Sequence, residues 1–215
     1  MGRATVRITR RQAFGLATLL LLFALFSQPS LGQSAESRAE ATVMTLAEQA
    51  WTLLARQDLP PEQRQDELAE LLESKTDVAL LSRLVLGRYW RKLKDNQKVE
   101  YQRLFRVVII RNLASKLSRY AEDANGAIDR HFEIHGSQLA GKGDILVRSK
   151  VLPSSGDGLD VDWRVRDRDG QLMIIDLIVE GVSLLVSQRS EFAAVIERSQ
   201  FEGLLAELQA RATES

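Results

Sequence analysis

The chain has 215 residues and a mass of 24.1 kDa, and its 45% hydrophobic and 27% charged residues are the balance of one globular domain, not of a disordered chain. It holds no cysteine and two histidines, which excludes a disulfide scaffold, a thiolate metal site, a redox CxxC pair and a cysteine nucleophile. The formal net charge is +0, yet Arg3, Arg7, Arg10 and Arg11 crowd the first eleven residues; without them acids outnumber bases by four, and no nucleic-acid partner is expected of so mildly acidic a body.

Met1 to Arg11 is basic and carries no acid, Ala13 to Phe26 is fourteen residues of almost pure apolar character, and Ser27 to Gly32 is small and polar. This is the plan of a secretory signal peptide over residues 1–32. The apolar run is shorter than the roughly 18–20 residues that span a bilayer as a helix. Small residues at Ser30 and Gly32 predict cleavage before Gln33, leaving one domain over residues 33–215. Thr9-Arg10-Arg11-Gln12-Ala13-Phe14 also resembles a twin-arginine export signal, and either route ends outside the cytoplasmic membrane.

The first half of that domain reads as helical, over about residues 36–122. Leu46, Ala50, Leu53 and Leu54 recur at helical spacing, with Trp51 beside them. Pro61 is a first-turn residue for a helix to Leu72. Asp77 can cap a helix with Leu80, Leu81, Leu84 and Val85 as its apolar stripe, interrupted at Gly87. Asp95 or Asn96 opens the longest helix, to about Tyr120, with Tyr101, Leu104, Phe105, Val108, Ile109, Leu113 and Leu117 near a 3.6-residue period. Val107 and Ile110 widen that stripe beyond the need of a surface helix, and Asn125-Gly126 is a turn.

From Ile128 the period becomes two. Ile145, Val147 and Val151 alternate with polar residues, and Leu159, Val161, Trp163 and Val165 alternate with Asp160, Asp162, Arg164 and Arg166. Asp167 to Gly170 is a tight-turn sequence, so the next strand returns antiparallel. That strand, Leu172 to Val179, is apolar on both faces and must be covered on both or border a cavity. Helical spacing resumes after Gly181, through Ile196, and a last helix carries Leu204, Leu205 and Leu208 (about residues 184–212 in all). The order predicts an α+β fold, a curved antiparallel sheet of about four strands over about residues 128–180, backed by helices.

Catalytic chemistry is sparse. His131, Glu133 and His135 share a strand face but lack further ligands, so no metal site is expected. Gly181-Val182-Ser183 lacks the second glycine of a nucleophile elbow, and both histidines precede it. Asp176 is a carboxylate inside an apolar strand. It is either a general base in an apolar cup or a buried acid paired with an Arg or capping backbone donors near a helix start. Glu180 and Glu191 read as solvated or paired with Arg189. The apolar excess serves either a filled core or a lipid cavity, and periodicity does not separate the two.

Two stretches carry a family resemblance. Leu86-Gly87-Arg88-Tyr89-Trp90-Arg91, followed by Gln97, Tyr101, Phe105 and Tyr120, resembles the helical signature of the MlaC (toluene-tolerance) family of periplasmic phospholipid-binding proteins. Asp160-Val161-Asp162-Trp163-Arg164, then Asp176-Leu177-Ile178-Val179-Glu180-Gly181-Val182-Ser183, then Arg189-Ser190-Glu191-Phe192, resembles its second signature. The chain is also similar to the hopanoid-associated branch of that family. Lys94 stands where the family has a Ser or Thr cap, so Asp95 is expected to take over the cap.

The resemblance implies a monomeric, non-enzymatic carrier without a cofactor. It would shuttle phospholipid between an inner-membrane ABC transporter bearing an MCE ring and an outer-membrane lipoprotein complex. The tails would lie between sheet and helices, with the headgroup outside. Residues expected to line that slot are Leu86, Tyr89 and Trp90; Phe105, Val108, Ile109, Leu113 and Tyr120 on the long helix; and Val147, Trp163, Ile174, Ile178 and Val182. Candidate hinges are Gly87, Gly181 and the Asn125-Gly126 turn. From other classes stand an isomerase-like enzyme using Asp176 and a non-lipid adaptor of an envelope transporter.

Overall fold

The computed structural model describes residues 34–119, 124, 127–153 and 157–214. The expected signal peptide, Tyr120 and the Asn125-Gly126 turn lie outside these residues.

Short polar side chains and backbone-restricting residues set the helix starts. Helix α1 (Ala35–Leu54) begins at Ser34, whose hydroxyl accepts the Ser37 N–H at 3.1 Å. Helix α2 (Pro61–Lys75) has proline in its first turn, where the missing N–H costs nothing. Helix α3 (Val78–Leu86) is capped by Asp77, whose buried carboxylate accepts the Leu80 N–H at 3.0 Å and pairs with Arg168 at 2.9 Å. It ends at Gly87, where φ is +52° and a side chain would be strained. A 3-10 stretch, Gly87–Lys92, leads to α4 (Asp95–Ser118).

Asp95 does not cap α4, contrary to expectation. Lys94 occupies the cap position, and the Gln97 side chain accepts its backbone N–H at 2.9 Å. An ammonium has no acceptor to offer in return, so only half of a capping box forms. Asp95 is the first helical residue and pairs with Lys98 at 2.9 Å.

One open antiparallel sheet follows in chain order: β1 (Phe132–Ala140), β2 (Asp144–Val151), β3 (Leu159–Arg168), β4 (Gln171–Val179) and the two-residue β5 (Val182–Ser183). Its start corrects the reading from Ile128. Residues Ile128–Arg130 form a 3-10 turn, so His131 lies outside β1 and stacks on Trp51 at 4.5 Å, away from His135 and Glu133. Two-residue turns with both φ values positive join β3 to β4 at Asp169 and Gly170, and β4 to β5 at Glu180 and Gly181. Such turns match the natural twist of paired strands.

The alternation along β2 and β3 now has its cause. One sheet face presents Ile145, Val147, Trp163 and Val165, onto which α1 lays Ala39 and Val43. The other carries cross-strand pairs of opposite charge, Asp144 with Arg166 at 2.6 Å and Lys150 with Asp160 at 3.8 Å.

Helix α5 (Leu184–Glu214) is kinked at Gln200, φ +61°, which is the boundary between the two helices expected there. It packs with α3 and α4 around Tyr101, whose ring lies 5.5 Å from Phe105, 6.3 Å from Phe192 and 6.2 Å from Phe201. The phenol donates to the Ser82 carbonyl at 3.1 Å, satisfying the buried polar atom. A third cluster, with Leu54, Leu68, Leu72 and Ala114, joins α1, α2 and α4. Among the described residues, five α-helices over an open antiparallel sheet make the fold α+β, as the element order implies.

Burial pushes the Tyr101 phenol above its usual range. In the unfolded chain it ionises near pH ~10. Above that pH the unfolded state therefore binds fewer protons than the folded one, and stability falls as pH rises. Urea unfolding of Tyr101→Phe is expected to show a shallower alkaline loss than the parent, with about 1 kcal/mol lower stability at neutral pH. Parallel pH profiles would contradict this.

Candidate functional site

The site is built on an irregularity in β4. Val165 pairs with Ile174 and Arg164 with Asp176, so Ile175 is an extra, unpaired residue: a β-bulge. Ile174, Ile175 and Asp176 are consecutively buried, which regular alternation does not allow. The bulge also shifts the parity of the strand. Opposite Trp163 stands Leu177, and opposite Asp162 stands Ile178. Ile174 and Leu177 thus share the helix-covered face, and Ile178 is on the charged face.

Between that stretch of β4 and helices α3, α4 and α5 lies a cavity of about 290 Å³. Its floor is apolar: Leu81 and Val85 from α3, Phe105 and Ile109 from α4, Ile174, Ile175 and Leu177 from β4, and Leu185 from α5. Trp163 closes one side, with its indole N–H donating to the Ser149 hydroxyl at 2.9 Å. On α4, Ile109, Asn112, Leu113 and Lys116 lie four, seven, eight and eleven residues beyond Phe105 and form one helical face with it, with Ile110 beside that face. This face changes character along its length. Phe105 is buried, Ile109 and Leu113 are half-buried, and Asn112 and Lys116 are exposed. Opposite them α5 presents Leu184, Ser187, Gln188 and Glu191. The arrangement is an apolar slot with a polar lip.

Asp176 lines this cavity but is fully engaged. It is 5% exposed, and its carboxylate accepts the Ser183 hydroxyl at 2.6 Å and the Leu185 N–H at 3.0 Å. Ser183 in turn accepts the Val186 N–H at 3.1 Å. Two side chains thus satisfy the first turn of α5, where the helix dipole favours a negative charge. The capping alternative describes this carboxylate. Glu180 accepts the Asp160 N–H at 2.7 Å. Glu191 pairs with Arg211 at 2.8 Å, because Arg189 instead donates to the Leu84 carbonyl at 2.9 Å. Among the described residues no cluster of three or more His, Cys, Asp or Glu side chains could hold a metal ion.

Of the residues expected to line a slot, Phe105, Ile109, Leu113, Trp163 and Ile174 meet at this cavity. Leu86 and Val108 are buried in the aromatic cluster, with Tyr89 and Trp90 packed against it. Val147 lies under α1. Ile178, displaced by the bulge, borders a separate polar hollow of about 350 Å³ with His135, Arg148 and Asp162. Partial burial there pushes the Asp162 carboxyl up, against the pull of Arg148. Val182, on β5, is 57% exposed. Leu81 and Val85 were legible as an i, i+4 pair, whereas Ile175 and Leu177 required the bulge.

Asp176→Ala is expected to lower stability by about 2 kcal/mol, because it strands a buried N–H and a hydroxyl, and Asp176→Asn by less. Chemical denaturation checks this; an Ala variant as stable as the parent would contradict the capping role.

Similarity to known proteins agrees with this architecture. A solved structure described as a phospholipid-binding protein from Ralstonia solanacearum in complex with a phospholipid superposes with a TM-score of 0.68 at 22% identity, covering 82% of this chain and 97% of that one. The sequence profile of the MlaC family, described as MlaC protein, matches residues 45–210. The chain therefore belongs to the MlaC family.

Proposed function

We propose that the protein is a periplasmic phospholipid carrier whose cavity between β4 and helices α3, α4 and α5 takes the acyl tails. The observation that carries this reading is the slot itself, an apolar floor under a polar lip. Each methylene removed from water is worth about 0.8 kcal/mol, so a lipid crosses an aqueous gap only with its tails covered. The charged headgroup is cheapest left at the lip, in water. Membership of the MlaC family and the lipid complex described for the Ralstonia solanacearum protein support the same ligand class.

In this reading residues 1–32 are the export signal. The mature chain acts as a monomer, without cofactor or catalysis. It takes lipid from or delivers it to an inner-membrane ABC transporter with an MCE ring and an outer-membrane lipoprotein complex. No helix among the described residues is long and apolar enough to cross a membrane. The hydrogen bonds that occupy Asp176 argue against the enzyme alternative. A hopanoid is the other cargo compatible with an apolar slot.

The cavity lies at the lower end of the ~300–1,000 Å³ usual for ligand sites. Full-length tails therefore require α4 and α5 to part, with the half-buried Ile109 and Leu113 at the opening. A carrier that opens at modest cost also releases its cargo, since retention depends on the difference between slot and bilayer.

Ile109→Trp fills the slot from α4. Native mass spectrometry with lipid extraction is expected to show diacyl lipid on the parent and a severalfold lower occupancy on the variant, with no loss of thermal stability. Equal occupancy would contradict this location for the tails; a hopanoid in the extract would reassign the cargo.

A further inference from the structure

The lip of the cavity is chemically lopsided. Its two carboxylates already have partners: Asp176 accepts the Ser183 hydroxyl and the Leu185 N–H, and Glu191 pairs with Arg211 at 2.8 Å and accepts the Gln188 amide at 3.0 Å. Among the described residues Lys116 is the one cationic side chain in the lining, and it makes no hydrogen bond or ion pair with any of them. Asn112, one turn earlier on the same face of α4, is equally exposed and equally without a partner among the described residues. Both adjoin Leu113, where the apolar floor begins.

We propose that Lys116 and Asn112 seat the phosphodiester of a two-tailed lipid. This inference rests on the carrier reading above and specifies what that site reads. A phosphodiester carries one negative charge and does not follow the tails into an apolar floor, where its desolvation goes uncompensated. It stops at the boundary, and there it meets an ammonium with three donors and an amide with two, none of them engaged among the described residues. An ammonium contacts phosphate as a point charge, without the fixed fork of a guanidinium. Lys116 therefore recognises the phosphate common to phospholipids and leaves the headgroup alcohol unread. Its place in the last turn of α4 also suits the helix dipole, but that role bears on stability and not on lipid choice.

The test offers the purified, delipidated protein equimolar phosphatidylglycerol and diacylglycerol with identical chains in mixed detergent micelles, and measures bound lipid by extraction and mass analysis. The parent and Lys116→Arg are expected to prefer phosphatidylglycerol. Lys116→Ala should reduce that preference about two- to fivefold, the range for an exposed ion pair, and Lys116→Glu further, with diacylglycerol uptake unchanged. Phosphatidylethanolamine in place of phosphatidylglycerol should give the same series. An identical lipid ratio in the parent, Ala and Glu proteins would overturn the phosphate seat while leaving the cavity reading intact. If the parent takes up neither lipid, the carrier reading fails and the seat with it.

Discussion

Asp176 accepts the Ser183 hydroxyl and the Leu185 N–H in a position almost closed to water, and this junction sets where the chain leaves the sheet and becomes α5. A carboxylate in such surroundings is costly unless its lone pairs are used, and here the donors come from a helix terminus that needs acceptors. Each side thus satisfies the other. The junction fixes Leu184, Leu185, Ser187 and Gln188 opposite α4, which makes it the anchor of that cavity wall. The bulge at Ile175 is the second half of the device. It allows three consecutive residues of β4 to be buried, supplying both the apolar wall and the anchoring acid.

Helix α4 divides its apolar excess between two tasks. Tyr101, Leu104, Phe105 and Val108 fill a dense aromatic and aliphatic cluster with α3 and α5. Phe105 also reaches the cavity, from which Ile109 and Leu113 lead outward to Asn112 and Lys116. In the proposed carrier role, a densely packed half beside a half-buried cavity wall would let a long apolar ligand enter without loss of the fold. Interiors at crystal-like density do not deform gradually, so the adjustable volume has to be set apart from the core.

Much of this architecture is legible in the sequence. The alternation of Val161, Trp163 and Val165 with charged residues marks β3, and Asp169-Gly170 marks its turn. Asp77 and Pro61 mark helix starts. The bulge is not legible, since an apolar run carries no phase from which a slip could be read. For that reason the run alone does not show that Leu177, and not Ile178, shares the face of Ile174. Leu86, Tyr89 and Trp90 stand out as a signature, yet they pack on the aromatic cluster. Asn112 and Lys116 have the spacing of the cavity face, but their polarity hides them in a lining sought among apolar residues alone.

The central claim is that lipid tails occupy the space between β4 and the helices. A crystal structure of the protein loaded with a brominated-chain phospholipid tests it most directly, because anomalous scattering locates the tails. The account predicts bromine peaks among Ile109, Leu113, Ile174 and Leu177, with the phosphorus outside at the lip. Bromine at the charged face of the sheet, or no bound lipid in crystals of a protein incubated with excess, would contradict it.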